Sequence, residues 1–161
     1  MVLRPATPAG SDLDTIVQHR RAIYAEVGYT DKRALDAMSA AYREWLLPKL
    51  QTGEYLAWFA LAPDSTIAAG LGLWLMDSPP NLFARGDRRG NIVNVYTEPP
   101  HRRQGLARVL AQTALDWCAA QGVDMIVLHA TADGRALYES LGFTPTTEMR
   151  LIRPLVASSE A

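Results

Sequence analysis

The segment NVYTEPPHRRQGLARVL, residues 94–110, decides how this chain reads. It opens with strand-like residues, and Pro99-Pro100 must end that strand because proline cannot donate to a sheet ladder. An arginine-rich turn with one glycine, Gly105, follows. From Gln104 the apolar residues Leu106, Val109, Leu110, Ala114 and Trp117 recur at helical spacing, and Gly122 marks the exit. The turn therefore lies at a helix N-terminus, where backbone N–H groups lack partners and the dipole favours negative charge. Gly105 lets the backbone approach a ligand closely, and Arg102, Arg103 and Arg108 add cationic charge in the same stretch. The expected ligand is an anion, most simply a diphosphate. The plainer alternative is an ordinary strand–helix loop with solvated arginines. The turn is neither G-x-G-x-x-G nor G-x-x-x-x-G-K-[ST], so a dinucleotide fold or P-loop NTPase is unsupported.

Working outward, residues 91–97 form the strand that enters the turn, and the polar stretch 77–90 before it is the longest predicted loop. Residues 54–62 and 66–76 read as two strands joined by Pro63-Asp64-Ser65, with Gly70 and Gly72 marking a bulge or a close approach. A short first strand covers 2–4, closed by Pro5 and Pro8. Two helices come next. Ser11 is the expected N-cap of the first, with Asp12 and Asp14 near its start and Leu13, Ile16, Val17, Ile23 and Tyr24 as its apolar positions. Thr30 or Asp31 caps the second, which carries Leu35, Met38, Tyr42, Trp45 and Leu46 and should bend or end at Pro48. Towards the C-terminus, 124–130 reads as a strand covered on both faces. Asp133 then caps a short helix through Leu141, Gly142 stops it, and a last strand covers 148–155. The expected class is α/β with a mixed sheet, in the order β-α-α-β-β-β-α-β-α-β. One domain over 1–156 and a frayed tail at 157–161 are expected.

The 161 residues are 48% hydrophobic, enough for a full core, and carry a net charge of −1. That balance argues against general affinity for nucleic acid or an anionic membrane surface. There is no apolar run of membrane-spanning length and no signal-like N-terminus, so no membrane partner is expected and the cytoplasm is the default compartment. A single cysteine, Cys118, and three scattered histidines suggest no metal centre.

The pattern Val95-x-x-x-Pro99-x-x-Arg102-x-x-Gly105-x-Ala107 resembles the acyl-CoA signature of the GNAT N-acyltransferase superfamily. Residues 134–143, GRALYESLGF, resemble the second motif of that family, with its Leu-Tyr and Gly-Phe pairs. The likeness is strong over 91–151, and the order of elements extends it over 1–90. It implies a splayed, mainly antiparallel central sheet in which strand 91–97 parts from strand 124–130. It further implies acetyl-CoA as acyl donor, with its pantetheine arm on the backbone around Val95 and Tyr96. The pyrophosphate would lie on the turn of Arg102, Arg103, Gln104, Gly105, Leu106, Ala107 and Arg108. A backbone N–H near Val95 would polarise the carbonyl, and Tyr138 would protonate the departing thiolate. Thr131 stands where many members carry a cofactor-contacting Asn. The reaction so implied is direct attack by a primary amine, on a small molecule or a peptide, in a ternary complex, and homodimers are a common prior for such domains.

An ammonium acceptor must lose a proton, and Glu98, at the end of the cofactor strand, is the first candidate to take it. Its plainer role is a solvated residue ahead of two prolines. Asn94 can orient a water or face the acceptor, unless a bulge changes its face. Glu26, Tyr29 and Glu148 are weaker candidates for the acceptor wall. His129 reads as a core or channel-lining residue, Cys118 as a buried structural thiol, and Trp58, Trp74 and Met76 as core, although Trp74 or Met76 can face the acceptor. Arg85, Arg88 and Arg89 read as a solvated loop in preference to an anion-greeting patch. Two rivals stand beside the transferase. One is a catalytically idle acyl-CoA sensor. The other is a modifier of aminoacyl-tRNA, for which the chain lacks excess positive charge.

Overall fold

The computed structural model describes residues 2–8 and 10–153. They fall into two compact units, Met1–His129 and Ala130–Ala161. The first unit holds β1 (Val2–Pro5), α1 (Ser11–Glu26), α2 (Lys32–Thr52), β2 (Tyr55–Leu61), β3 (Ile67–Asp77), β4 (Arg88–Thr97), a 3-10 turn (Pro99–His101), α3 (Leu106–Ala120) and β5 (Met125–Leu128). The second holds α4 (Arg135–Ser140).

The five strands form one open sheet in the order β1-β2-β3-β4-β5, antiparallel throughout except for the parallel β4–β5 pair. Alternation along β2 divides its side chains between two helical layers. Tyr55, Ala57 and Phe59 join the core that α1 and α2 build from Leu13, Ile16, Tyr42, Leu46 and Leu50. Trp58 faces the opposite way and meets Trp117 of α3. Cys118 is fully buried in that second layer, and burial lifts its thiol to about 11, so it is an inert packing group.

Several local expectations change. Gly10, not Ser11, is the N-cap of α1, and its first turn is tied down differently. Asp12, buried there, accepts from both guanidinium NH groups of Arg4 at 2.7 Å and from the Thr7 amide at 2.8 Å. Asp31 caps α2 by accepting from the Arg33 and Ala34 amides, but Pro48 does not end the helix. The helix runs on to a left-handed Gly53, because burial of Leu46 and Leu50 on either side of Pro48 outweighs the lost hydrogen bond. β4 starts at Arg88, earlier than expected, because Arg88 pairs with Asp77 and shortens the loop. β5 is only half-buried, so it is not covered on both faces. Gly134 stands at the start of α4 in place of Asp133, and the Thr131 hydroxyl accepts from the Gly134 amide.

No strand forms at 148–153, where Met149, Leu151 and Ile152 are exposed: alternation is written in the chain, but a strand exists only with a ladder partner. The remainder of that expected strand and the tail at 157–161 lie outside the described residues.

The Arg4–Asp12 pair yields a prediction. The Arg4 guanidinium, with the Thr7 amide and hydroxyl, holds the Asp12 carboxyl at about 2, below its usual 3.8. A depressed carboxyl stabilises the fold fully above its unfolded value and loses that contribution as pH falls through the folded one. Asp12→Asn is therefore expected to cost about 2 kcal/mol at pH 7, and the difference from the unaltered protein should vanish between pH 4 and pH 2. Urea unfolding across that range measures it. A constant difference would mean that the pair contributes packing and not charge.

Candidate active site

Two left-handed residues shape the turn at 102–105. Arg103 has φ 62° and Gly105, the N-cap of α3, has φ 79°. No side chain of the cap residue covers the helix end. A non-glycine residue held at positive φ is strained, and such strain clusters where the backbone is shaped for a ligand. Arg103 and Arg108 are exposed, while Leu106 is buried and anchors the first turn of α3. Gln104 reaches back to the Pro100 carbonyl at 3.4 Å. The turn thus presents backbone amides and cationic side chains without an acidic residue of its own, which suits a diphosphate.

Arg102 does something else. Its guanidinium ion-pairs with Glu26, donates to the Thr97 carbonyl at 3.0 Å and lies 5.7 Å from the Tyr96 ring centre. Tyr96 in turn donates to Glu26 at 3.1 Å. Burial first, then the bond to Glu26 and the charges of Glu26 and Glu98, raise the Tyr96 hydroxyl above its ordinary value, so it keeps its proton. The Arg102 side chain therefore locks the base of the turn to the end of α1.

β4 carries a bulge. Gly70 pairs with Tyr96 and Gly72 with Val93, so Asn94 and Val95 together face Leu71 alone. Asn94 adopts φ 53° to make the kink. Its amide donates to the Tyr42 hydroxyl at 2.7 Å and its carbonyl accepts from Arg20 at 3.1 Å. Tyr42 donates to the fully buried Tyr55 at 3.2 Å, and Arg20 lies 4.5 Å from the Tyr42 ring centre. The bulge thus turns the Asn94 side chain into a polar network that supports the kink. A second irregularity follows. β5 pairs with β4 only from Arg89 to Ile92, so the later half of β4, including Val95 and Tyr96, parts from β5. This is the splay that the resemblance implies.

Glu98 is partly exposed, and its Oε1 lies 3.4 Å from Nε2 of His19, whose side chain is 4% exposed. Sequence reasoning missed His19. Its signal was present: with Ile16 and Ile23 it falls at helical spacing on the buried stripe of α1. Burial lowers its imidazole to about 4, so it is neutral near pH 7.

In the second unit, Tyr138 is buried and packs edge-on to Phe143 at 5.9 Å. Burial raises its hydroxyl, which keeps it protonated at neutral pH as an acid requires. Thr131 spends its hydroxyl on the turn before α4. Of the weaker candidates, Tyr29 is exposed and packs edge-on against Tyr24, and Glu148 is exposed. His129 is exposed just past β5, so it is not a core residue. Trp58 is buried as expected, while Trp74 is half-buried against Trp45 and Met76 is half-buried too. Arg85 does not stay free in its loop: it pairs with Asp124 through side chain and backbone at 3.0–3.1 Å. No helix among the described residues is long and apolar enough to cross a membrane.

Residues 15–143 match the acetyltransferase (GNAT) family. Among solved structures, a GCN5-related N-acetyltransferase from Ralstonia eutropha is 37% identical, with a TM-score of 0.86 over 94% of this chain and 97% of that one. A predicted acetyltransferase with acetyl-CoA from Clostridium acetobutylicum is 24% identical, with a TM-score of 0.81 over 94% and 95% of the two chains, and shares the fold. The ribosomal protein bS18 alanine N-acetyltransferase of Escherichia coli is 35% identical over 72 residues, which are 43% of this chain and 49% of that protein. The chain matches at most about half the length of such curated relatives.

Proposed function

Because this chain belongs to the acetyltransferase (GNAT) family, we propose that it transfers an acetyl group from acetyl-CoA to a primary amine by direct attack in a ternary complex. The observation that carries this reading is the pairing of the bulged, splayed β4 with the left-handed turn at the start of α3. Acetyl-CoA brings the reactive thioester. The amides from Arg103 to Arg108 hold its pyrophosphate, and Arg102 fixes the turn through Glu26. The parted edge of β4 at Val95 and Tyr96 offers backbone groups to the pantetheine amides, and an N–H near Val95 stabilises negative charge on the thioester oxygen. Asn94 shapes the bulge that aims that group. Glu98 receives the acceptor's proton, and Tyr138, with Thr131 near its helix, is assigned the acid role by the motif it belongs to.

The acceptor is a small-molecule or peptide amine. The relative from Escherichia coli is named for an alanine of a ribosomal protein, and that name keeps a peptide terminus among the acceptors to test. A cytoplasmic location and a homodimer complete the proposal.

Calorimetry with acetyl-CoA comes first. Saturable binding is expected, and none at high micromolar concentration would sink the reading. Release of CoA on addition of an amine panel then separates a transferase from an idle binder. Tyr138→Phe is expected to lower kcat on the order of a hundredfold while leaving the calorimetric Kd for acetyl-CoA within about twofold. A matching rise in Kd with unchanged kcat would reassign Tyr138 to packing.

A further inference from the structure

His19 is a buried titratable group beside the end of β4 that the transfer scheme leaves unused. Its two ring nitrogens face different places. Nε2 looks toward Glu98 at 3.4 Å, at the end of β4. Nδ1 looks toward Gly70 of β3, where a Cβ would stand 2.9 Å away, so the ring fits only because residue 70 is glycine. On that side a cavity of about 10 Å³, at the lower end of the space that one water needs, has His19 and Asn94 as its polar side chains among Ile16, Phe59, Leu71 and two glycines. The cavity touches the bulge, and Glu98 is not among the residues lining it. His19 is the group between them.

The other groups around the ring are accounted for. From β4 the Tyr96 ring packs at 4.9 Å, its hydroxyl held by Glu26 with Arg102 beyond. From β2 the Phe59 ring packs edge-on, with the Arg4 guanidinium 5.1 Å from its centre and paired to Asp12. On α1 itself, Arg20 bonds to Asn94 and Arg21 pairs with Asp36. Glu98 is the one carboxylate within 4 Å of the imidazole among the described residues.

We propose that His19 is a proton relay between a water at the β4 bulge and the carboxylate of Glu98. This rests on the amine-acetylation reading above. A neutral imidazole has one N–H and one lone pair. With Nε2–H turned to the carboxylate, the Nδ1 lone pair faces the cavity. The acceptor's N–H bond breaks with its electron pair remaining on nitrogen, and the proton passes through the cavity water to Nδ1. In the same hop Nε2 gives its proton to Oε1 of Glu98. The ring never has to hold a lasting positive charge, which its burial opposes. Glu98, 37% exposed, returns the proton to solvent. Once product has left, Nδ1 gives its proton to water entering the vacated acceptor side while Nε2 takes one from solvent through Glu98, which restores the starting tautomer with one proton released per turnover. His19 thus acts through Glu98 as a positioning and relay residue, without touching the acceptor.

Two measurements test this. The first uses the unaltered protein, labelled with nitrogen-15 at histidine. NMR should find His19 neutral and protonated at Nε2 from pH 8 down to about pH 5. An Nδ1–H tautomer, or ordinary titration near 6.5, overturns the relay. The second compares acceptors of different basicity: ethylamine, an ammonium at pH 7, and trifluoroethylamine, already neutral there. His19→Phe, and His19→Gln should the first fail to fold, are expected to lower kcat on the order of a hundredfold with ethylamine and less than twofold with trifluoroethylamine. Glu98→Gln should show the same contrast, and the double variant should be no worse than either single one. Equal losses with both amines overturn the relay alone. Acetyl-CoA binding without turnover of any amine overturns the transfer reading beneath it.

Discussion

Gly72→Ala is expected to destabilise the protein by about 3 kcal/mol, although one methyl is all that it adds. Alanine is intrinsically the better strand residue by roughly 0.5–1 kcal/mol, so the sign is decided by packing. A Cβ on Gly72 would stand 1.8 Å from the Tyr55 hydroxyl oxygen and 2.4 Å from the ring carbon bearing it. Tyr55 is 1% exposed and cannot swing into solvent. Its hydroxyl accepts from Tyr42 at 3.2 Å, and burial raises it well above the ordinary tyrosine range, so any displacement leaves polar groups unpaired in the core. In thermal unfolding the variant should melt roughly 6–12 °C lower. Tyr55→Phe should recover part of that loss by removing the nearest atom, while the ring carbon at 2.4 Å preserves the rest. Unchanged melting of Gly72→Ala would mean that β3 and Tyr55 are not packed as described. Activity should fall with stability, because the same tyrosines hold Asn94 at the bulge.

The second large effect is at Gly105 and falls on ligand binding as well as on folding. A Cβ there would meet nothing within 4 Å, so a larger residue displaces no neighbour of its own chain. It faces φ 79° instead, a conformation costly for any L-residue and worst for a β-branched one. Either Gly105→Val keeps the turn and places its branched side chain where a pyrophosphate would lie, or the turn relaxes and its amides no longer converge. Both outcomes should weaken acetyl-CoA by at least about tenfold in calorimetry, equivalent to the roughly 1.4 kcal/mol expected of such strain. Gly53, the left-handed cap at the end of α2, serves as control. It too has positive φ and open space around its Cβ position. Gly53→Val should cost comparable stability and leave Kd within about twofold. Equal Kd values for both variants would remove the turn from the binding site.

The turn was legible in the chain because each of its ingredients is local. Two prolines end a strand, a glycine supplies positive φ, and apolar spacing starts a helix within a few residues of each other. Gly70 and Gly72 were legible in the same way, as a place where backbone must bend or be approached; His19 and Tyr55 are what approach it. Pro48 misled because propensity is a local cost, and the burial of Leu46 and Leu50 that offsets it depends on the sheet beneath them. Alternation at 148–153 misled for the complementary reason: it describes faces and says nothing about whether a neighbouring strand exists to pair with.

By itself, then, the sequence of residues 94–110 determined a glycine-bearing turn at a helix start behind a strand, since amide direction, φ and apolar period are set by neighbours along the chain. What surrounds that turn was decided only in three dimensions. Arg102 reaches Glu26, Asn94 reaches Tyr42 and Arg20, and Glu98 stands beside His19, each across more than fifty residues. Such contacts depend on sheet register and on the one-residue bulge at Asn94. A shift of one residue turns every side chain to the opposite face, and no local pattern in the chain specifies it.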